Sequence, residues 1–236
     1  MRGKKATAAS KEPNSAPEAL LQNKHFAAGV NFYKLVWVFI IGCVLGFVIE
    51  EAWCLLTKHV WESRKGLIYG PFSQVYGFGA VLMTLALHRL AKYRDIIVFA
   101  GSALIGGAFE FICSVVQEYV FGTVSWDYSD RPFHLGGRTN LLYMFFWGVL
   151  GLLFIKEIYP RMSRLIERIP NKWGVAVTWV LIIFLAFDMF ISSVAVARQS
   201  ARRAGRPARN GFEEFLDNTY TDDYLHKIYP NMIVVE

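Results

Sequence analysis

Four acidic side chains lie within long apolar stretches of the sequence, where an ionised carboxylate is costly. Glu50 and Glu51 fall in the first stretch, Glu110 in the third and Asp188 in the fifth, each about fifteen residues after its stretch begins. Such residues bind a cation or polar ligand, transfer a proton, or form a buried ion pair. Asp188, with Ser192 one helical turn later, equally fits a hydrogen bond between packed helices.

Two connecting segments, residues 61–77 and 126–140, combine aromatic residues, glycines and an arginine just before an apolar stretch begins. Arg64 or Arg138 could neutralise Glu50 or Glu110, because pairing offsets most of the cost of a buried charge. We therefore expect the acids and both segments to form one polar site, with no catalytic residue assigned. The candidate substrate-binding residues are Glu50, Glu51, Arg64, Tyr69, Tyr76, Glu110, Gln117, Trp126, Asp127, Tyr128, Arg138 and Asn140.

Structural roles are alternatives for several of these residues. One of Glu50 and Glu51 could face the headgroup region or anchor an ion pair. Glu110, followed on one helix face by Ser114 and Gln117, favours a site role, with a buried structural bond to Arg138 as the rival. The tyrosines and tryptophans could form an ordinary interfacial belt, although a belt does not explain the accompanying arginines and glycines.

The apolar stretches that carry these acids have the length of membrane-spanning helices. Hydrophobic residues make up 54% of the chain and charged residues 19%, below the roughly 25% of an ordinary soluble domain. A helix needs about 20 apolar residues to cross a bilayer. The sequence predicts an all-α integral membrane protein with about five transmembrane helices, at residues 35–56, 71–90, 96–120, 140–158 and 173–197. Helices one, three and five run in the same direction, so the acids are expected near one side of the membrane.

The rest of the chain divides by composition. Residues 1–31 predict a disordered polar tail, residues 32–197 the transmembrane domain, and residues 198–210 a basic linker. Residues 211–236 place apolar side chains at helical spacing among acidic ones, which predicts a short amphipathic helical segment. This segment is expected to dock on the protein itself or on a partner, with a loosely ordered tail as the alternative.

The arrangement of charges leaves the orientation open. Basic residues near the spans divide equally between the two sides, so the positive-inside rule does not decide. We favour a cytoplasmic N-terminus, because a basic tail precedes the first span and residues 159–172 are rich in Lys and Arg.

An internal repeat is also visible. Gly46 precedes Glu50 by four residues, as Gly106 precedes Glu110, and each pair leads into a segment with Trp, Arg and Gly and then another helix. This pattern indicates a duplicated helix–loop–helix unit, an arrangement by which some transporters build a central site between halves. Chance similarity is the alternative.

Several classes of function lack support in the sequence. There is no P-loop and no HExxH, GxSxG or dinucleotide-binding pattern. The three cysteines, Cys43, Cys54 and Cys113, lie in apolar stretches and are expected to be buried thiols. No metal site, cofactor or nucleic-acid partner is predicted.

A family resemblance rests on specific runs of residues. These are Gly70-Pro71-Phe72 with Tyr76-Gly77, the acids Glu51 and Glu110, Trp126-Asp127-Tyr128-Ser129 with Gly137-Arg138, and in the tail Phe215-Leu216-Asp217 and Tyr229-Pro230-Asn231-Met232. From about residue 32 to its end, the chain resembles the bacterial family named "putative ABC-transporter type IV", the CmpB-like permeases. The resemblance implies a multi-pass permease of the cell membrane that works with a separate ATPase, and it implies no substrate.

Three functions are compatible with these observations. The first is a permease-like component that binds a small solute or lipid headgroup, in contact with membrane lipid and as part of a homo- or hetero-oligomer. A carboxylate–arginine pair with aromatic residues suits a cationic or zwitterionic ligand. The second is a membrane-embedded enzyme acting on a lipid or lipid-linked substrate, with Glu51 or Glu110 as general base. The third is a structural accessory subunit whose acidic tail docks a partner.

Overall fold

The computed structural model describes residues 25–234, and this part of the chain is mainly helical. Its α-helices are α1 (Phe32–Lys58), α2 (Gln74–Leu87), α3 (Asp95–Phe121), α4 (Leu141–Leu153), α5 (Tyr159–Ile166), α6 (Asn171–Arg203), α7 (Gly211–Thr219) and α8 (Asp222–Ile228). Four two-residue strands, β1 (Thr123–Val124), β2 (His134–Leu135), β3 (Thr139–Asn140) and β4 (Ile233–Val234), form the antiparallel pairs β1–β4 and β2–β3. The predicted all-α membrane class is confirmed.

Within residues 25–234, four helical segments are long and apolar enough to cross a membrane: α1, α3, α6 and the continuous stretch Leu141–Ile166. Their large apolar side chains face outward, as at Leu56, Val180 and Ile183, which are more than 60% exposed. Exposing such large apolar surfaces to water is unfavourable, whereas the hydrocarbon interior of a bilayer accommodates them.

The second predicted span, residues 71–90, is shorter than expected. Helix α2 covers only Gln74–Leu87, or 14 residues, which is about 21 Å at 1.5 Å per residue. It begins late because Ser73, before it, is extended, and residues 88–93 form turns instead of continuing the helix.

The fourth span contains a widened turn. Residues Phe154–Ile158 form a π-helical turn between α4 and α5, and Pro160 follows in the first turn of α5. Proline has no N–H to donate and its ring crowds the carbonyl four residues earlier, so the helix widens locally to accommodate it.

Helices α1 and α3 are equivalent members of two packed hairpins, α1–α2 and α3–α4. Both contain 27 residues, and both end at a residue with positive φ, His59 at 55° and Gly122 at 64°. The most extensive helix packing in residues 25–234 occurs within these two hairpins.

The contacts inside the two hairpins correspond residue by residue. A methyl group on Gly46 would lie 2.7 Å from Cδ2 of Tyr76 in α2, and one on Gly106 would lie 2.6 Å from Cδ2 of Trp147 in α4. Each aromatic ring therefore rests on the bare backbone of the preceding long helix, where any side chain would exclude it.

A second pair of contacts runs in the opposite direction. A methyl group on Gly77 would lie 2.9 Å from Phe39, and one on Gly148 would lie 2.6 Å from Phe99. Phe39 and Phe99 are separated by the same 60 positions as Gly46 and Gly106, and Tyr76-Gly77 and Trp147-Gly148 are separated by 71. These matched contacts support the predicted duplication.

At the end of the bundle that holds the start of α1, a buried lysine forms an ion pair with an exposed glutamate. Lys34 is 0% exposed, and its Nζ lies 2.5 Å from a Glu167 carboxylate oxygen and donates to the Ser163 hydroxyl and carbonyl oxygens. Residues 1–24 of the predicted tail (residues 1–31) lie outside the described residues. Residues 25–31 are ordered on the bundle: Phe26 N–H donates to Asn171 at 2.9 Å, and Asn31 caps α1.

The C-terminal residues dock on the protein itself. Helix α6 continues to Arg203, so residues 198–203, the first part of the predicted linker, are helical. The helix persists because Arg198 and Arg202 both bind Asp217 of α7, which compensates their charges. The buried Leu216, Tyr220 and Leu225 pack on Ile68, Ile191 and Ala195, and β4 pairs with β1.

Candidate functional site

Glu110 lies buried in α3 and accepts hydrogen bonds from two neutral hydroxyls. Its Oε1 accepts from Tyr128 at 2.9 Å and its Oε2 from Thr139 at 2.8 Å. Glu110 is 6% exposed, and no cationic side chain in residues 25–234 forms an ion pair with it. Glu110 is therefore a hydrogen-bonded acid without a compensating positive charge in this part of the chain.

Glu50 approaches the same region from the first hairpin. Its Oε1 accepts a hydrogen bond from the Tyr76 hydroxyl, and the Tyr76 ring stacks on Trp147 with centroids 6.1 Å apart. Trp147 in turn packs against the backbone of Gly106, one helical turn before Glu110. The matched aromatic residues of the two hairpins thus bring the matched acids together.

Tyr128 covers Glu110 from the segment between α3 and α4. Its ring stacks on Tyr143 at a centroid distance of 4.3 Å. Burial raises the pKa of the Tyr128 hydroxyl, and the charge of Glu110 raises it further, so the hydroxyl stays protonated and donates to the carboxylate. We call Glu50, Tyr76, Glu110, Tyr128, Tyr143 and Trp147 the acidic–aromatic cluster.

Arg138 does not neutralise Glu110, contrary to the predicted pairing. Its guanidinium forms an ion pair with Glu118, donates to Ser114 at 3.2 Å and lies 6.0 Å from the Phe111 ring. Glu118 is two helical turns beyond Glu110, nearer the end of α3, where the arginine keeps partial contact with solvent. The backbone carbonyl of Arg138 accepts a hydrogen bond from the Trp126 indole N–H at 2.9 Å, which holds the two ends of the loop together.

Arg64 likewise forms no ion pair with Glu50. Its guanidinium donates to Glu62 at 2.9 Å and to the Cys54 thiol at 3.3 Å. Burial alone would lower the pKa of Arg64. The neighbouring Cys54, Glu62 and Glu50 raise this pKa by more, so Arg64 remains positively charged. Glu51 accepts a hydrogen bond from the backbone N–H of Arg64 at 3.0 Å, which ties the loop to α1.

The other predicted site residues lie outside the cluster. Tyr69 contacts the C-terminal helices through a 2.8 Å hydroxyl–hydroxyl hydrogen bond to Tyr220. Gln117 bonds Ser125 and Thr123, and Asn140 caps α4 by accepting from the Tyr143 N–H. Asp127 is exposed and accepts from Ser129, which lowers the pKa of Asp127. The structure therefore divides the predicted site into a cluster and several loop-fixing contacts.

Three residues of this region were not predicted from the sequence: Thr139, Tyr143 and Trp147. Trp147 could have been predicted from the sequence, because Trp147-Gly148 repeats the aromatic–glycine pair Tyr76-Gly77. Thr139 and Tyr143 could not, since an isolated threonine and an aromatic residue in an apolar helix are common at positions with no role beyond packing.

The fold and the cluster define an all-α membrane protein with two equivalent helical hairpins and paired acids between them. Residues 37–193 match the model of the family described as "Putative ABC-transporter type IV", and the chain belongs to that family. The match identifies a transport-related membrane component. It ends at residue 193, so it leaves the predicted tail resemblance untested. Comparisons with curated proteins and with solved structures gave no match.

Proposed function

We propose that the protein is a multi-pass, permease-like component of a transporter in the cell membrane. It binds a substituted ammonium group, either in a small cationic or zwitterionic solute or in a lipid headgroup, at the acidic–aromatic cluster. The observation that carries this proposal is that Glu50 and Glu110 converge among four aromatic rings while each accepts hydrogen bonds only from neutral hydroxyls within residues 25–234.

The chemistry of the cluster supports a cation over an anion. The nearby arginines are engaged elsewhere, Arg138 by Glu118 and Arg64 by Glu62. Carboxylates attract an ammonium group, and the faces of Tyr and Trp add cation–π attraction of about 2 kcal/mol where water is excluded.

Access to the cluster requires movement. Glu110 is 6% exposed and Tyr128 covers it, so a ligand enters only after the segment 122–139 shifts. The 236 residues contain no P-loop, and we propose that a separate ATPase subunit drives this movement. Because about five helices are few for a solitary transporter, the working unit is a homo- or hetero-oligomer.

The first experiment separates transport from lipid chemistry. The full-length protein is affinity-purified with its native partners, and ATP hydrolysis is measured with choline or glycine betaine added. We expect an ATPase to co-purify and hydrolysis to be stimulated, with stimulation lost in Glu110→Gln and retained in Glu157→Gln, a matched change at the other end of the bundle. Turnover of a lipid by the protein alone in liposomes, abolished by Glu110→Gln, would establish the enzyme alternative instead.

Orientation has its own test. Single cysteines replace the exposed Trp61 and Ser129 in a background lacking Cys43, Cys54 and Cys113. With the N-terminus in the cytoplasm, an impermeant thiol reagent labels both positions in intact cells. Labelling only after permeabilisation would place both loops in the cytoplasm and reverse the proposed topology.

A further inference from the structure

A buried carboxylate outside the acidic–aromatic cluster lies where α6 meets the first loop. Asp188 is 0% exposed, and its Oδ1 accepts hydrogen bonds from the Tyr69 backbone N–H at 3.1 Å and from the Ser192 hydroxyl at 3.3 Å. Ser192 Oγ accepts in turn from the Ile68 N–H at 2.9 Å. The two side chains hold the loop against α6, yet these contacts use only one of the two Asp188 oxygens.

The second oxygen of Asp188 is left for another partner. Asp188 Oδ2 is buried and accepts no hydrogen bond from residues 25–234, and the Tyr229 hydroxyl is buried and likewise unpartnered in that range. The Tyr229 ring packs against the cluster that contains Ile68 of the loop and Ile191 and Ala195 of α6, and Ile191 is the residue next to Ser192. Neither oxygen of Asp188 contacts a basic side chain of residues 25–234 at hydrogen-bond distance.

We propose that Asp188, Ser192 and Tyr229 form a binding site for a monovalent metal cation, Na⁺ in the first instance. An ionised carboxylate in a membrane-embedded helix needs a nearby cation to offset its desolvation. The three side chains offer only oxygen atoms, which suit hard cations and not transition metals. A single formal negative charge matches a monovalent ion. Divalent and transition metals are usually bound by several His, Cys, Asp or Glu side chains, and residues 25–234 contain no group of three or more of these residues.

The bound cation would link three parts of the chain. Asp188 and Ser192 belong to α6, Ile68 and Tyr69 to the first loop, and Tyr229 to the C-terminal segment that packs on both. Cation binding therefore stabilises the docked C-terminal segment over the loop end of the bundle. This site is separate from the acidic–aromatic cluster, and its existence does not depend on the proposed ligand.

The test is direct binding of ²²Na⁺ to the purified full-length protein, measured by scintillation proximity at constant ionic strength. We expect saturable binding with one ion per chain. Asp188→Asn should weaken it by at least ~10-fold, and Tyr229→Phe and Ser192→Ala should weaken it by a few fold, since each removes one ligand. Asp130→Asn, which removes an equal charge from an exposed loop residue, should leave binding unchanged.

Three outcomes would overturn the proposal. The first is the absence of saturable ²²Na⁺ binding to the wild-type protein. The second is wild-type affinity in both Asp188→Asn and Tyr229→Phe. The third is a thermal midpoint that depends on pH through Asp188 but not on Na⁺, which would show that the carboxyl binds a proton. If Asp188→Asn does not fold, as judged by size-exclusion chromatography, Ser192→Ala and Tyr229→Phe decide the result.

Discussion

The contact of Trp147 with the bare backbone at Gly106 provides a sharp test of the fold around the cluster. In Gly106→Ala the new methyl group would lie 2.6 Å from Cδ2 of Trp147, well inside the normal contact distance. The ring must move, and it stacks on Tyr76, which holds Glu50. Inserting a methyl group into a well-packed contact costs about 1–3 kcal/mol, and we expect Gly106→Ala to destabilise the protein by this amount.

The same helix offers a matched control. A methyl group on Gly101 would meet Leu87 at 3.5 Å, an ordinary van der Waals contact. Alanine at a helical position with free space stabilises by about 0.4–1 kcal/mol, because it restricts the unfolded chain. Gly101→Ala is therefore expected to be neutral or slightly stabilising.

The assay is thermal unfolding in detergent, followed by tryptophan fluorescence. A change of 1 kcal/mol corresponds to about 2–4 °C in a chain of this size, so Gly106→Ala should unfold roughly 2–12 °C earlier than the wild type. Gly46→Ala, the equivalent change under Tyr76, should behave similarly if the hairpins are true repeats. Equal thermal midpoints for Gly106→Ala and Gly101→Ala would refute the packing argument.

Three further predictions concern the hydrogen bonds of Glu110, the ion pairs of Asp217 and the pH dependence of those ion pairs. Thr139→Val and Tyr128→Phe each leave one Glu110 oxygen unpartnered and should destabilise by about 1–3 kcal/mol in thermal unfolding, whereas Thr57→Val at an exposed site should not. Asp217→Asn removes the bidentate partner of Arg198, and limited proteolysis should cut residues 204–234 faster than in the matched Asp223→Asn; equal rates would contradict the assigned ion pairs. Because Arg198 and Arg202 hold the pKa of Asp217 at about 2, below its ordinary 3.8, their contribution should be complete above the ordinary value and lost as pH falls towards 2. Protease protection measured across this range, with an acid-stable protease, should fall in the wild type and change less in Asp217→Asn.

The sequence predicts the membrane class because a long apolar helix has few other stable environments. It locates the acids for the same reason, since a carboxylate among apolar residues is visible without a structure. The end of α2 was less predictable: residues 88–90 are compatible with a helix, and only the tertiary structure shows that the chain turns there.

The partners of the acids could not be predicted, because partner choice depends on side-chain reach. Arg138 and Arg64 each lie in a loop next to a membrane-depth acid, but Glu118 and Glu62 lie closer to solvent and bind them first. The extension of α6 depends similarly on Asp217, which is distant in the sequence from Arg198. Trp147 was the exception, since the repeat that relates Gly46 to Gly106 also relates Tyr76 to Trp147.

The central claim is that the acidic–aromatic cluster binds an ammonium group through Glu110. The most direct measurement is isothermal titration calorimetry of choline and glycine betaine against the full-length protein, in wild type, Glu110→Gln and Glu157→Gln. We predict saturable binding of at least one of these compounds, weakened by at least ~10-fold in Glu110→Gln and unchanged in Glu157→Gln. Binding of equal affinity in wild type and Glu110→Gln, or no binding of either compound to the wild type, would contradict the claim.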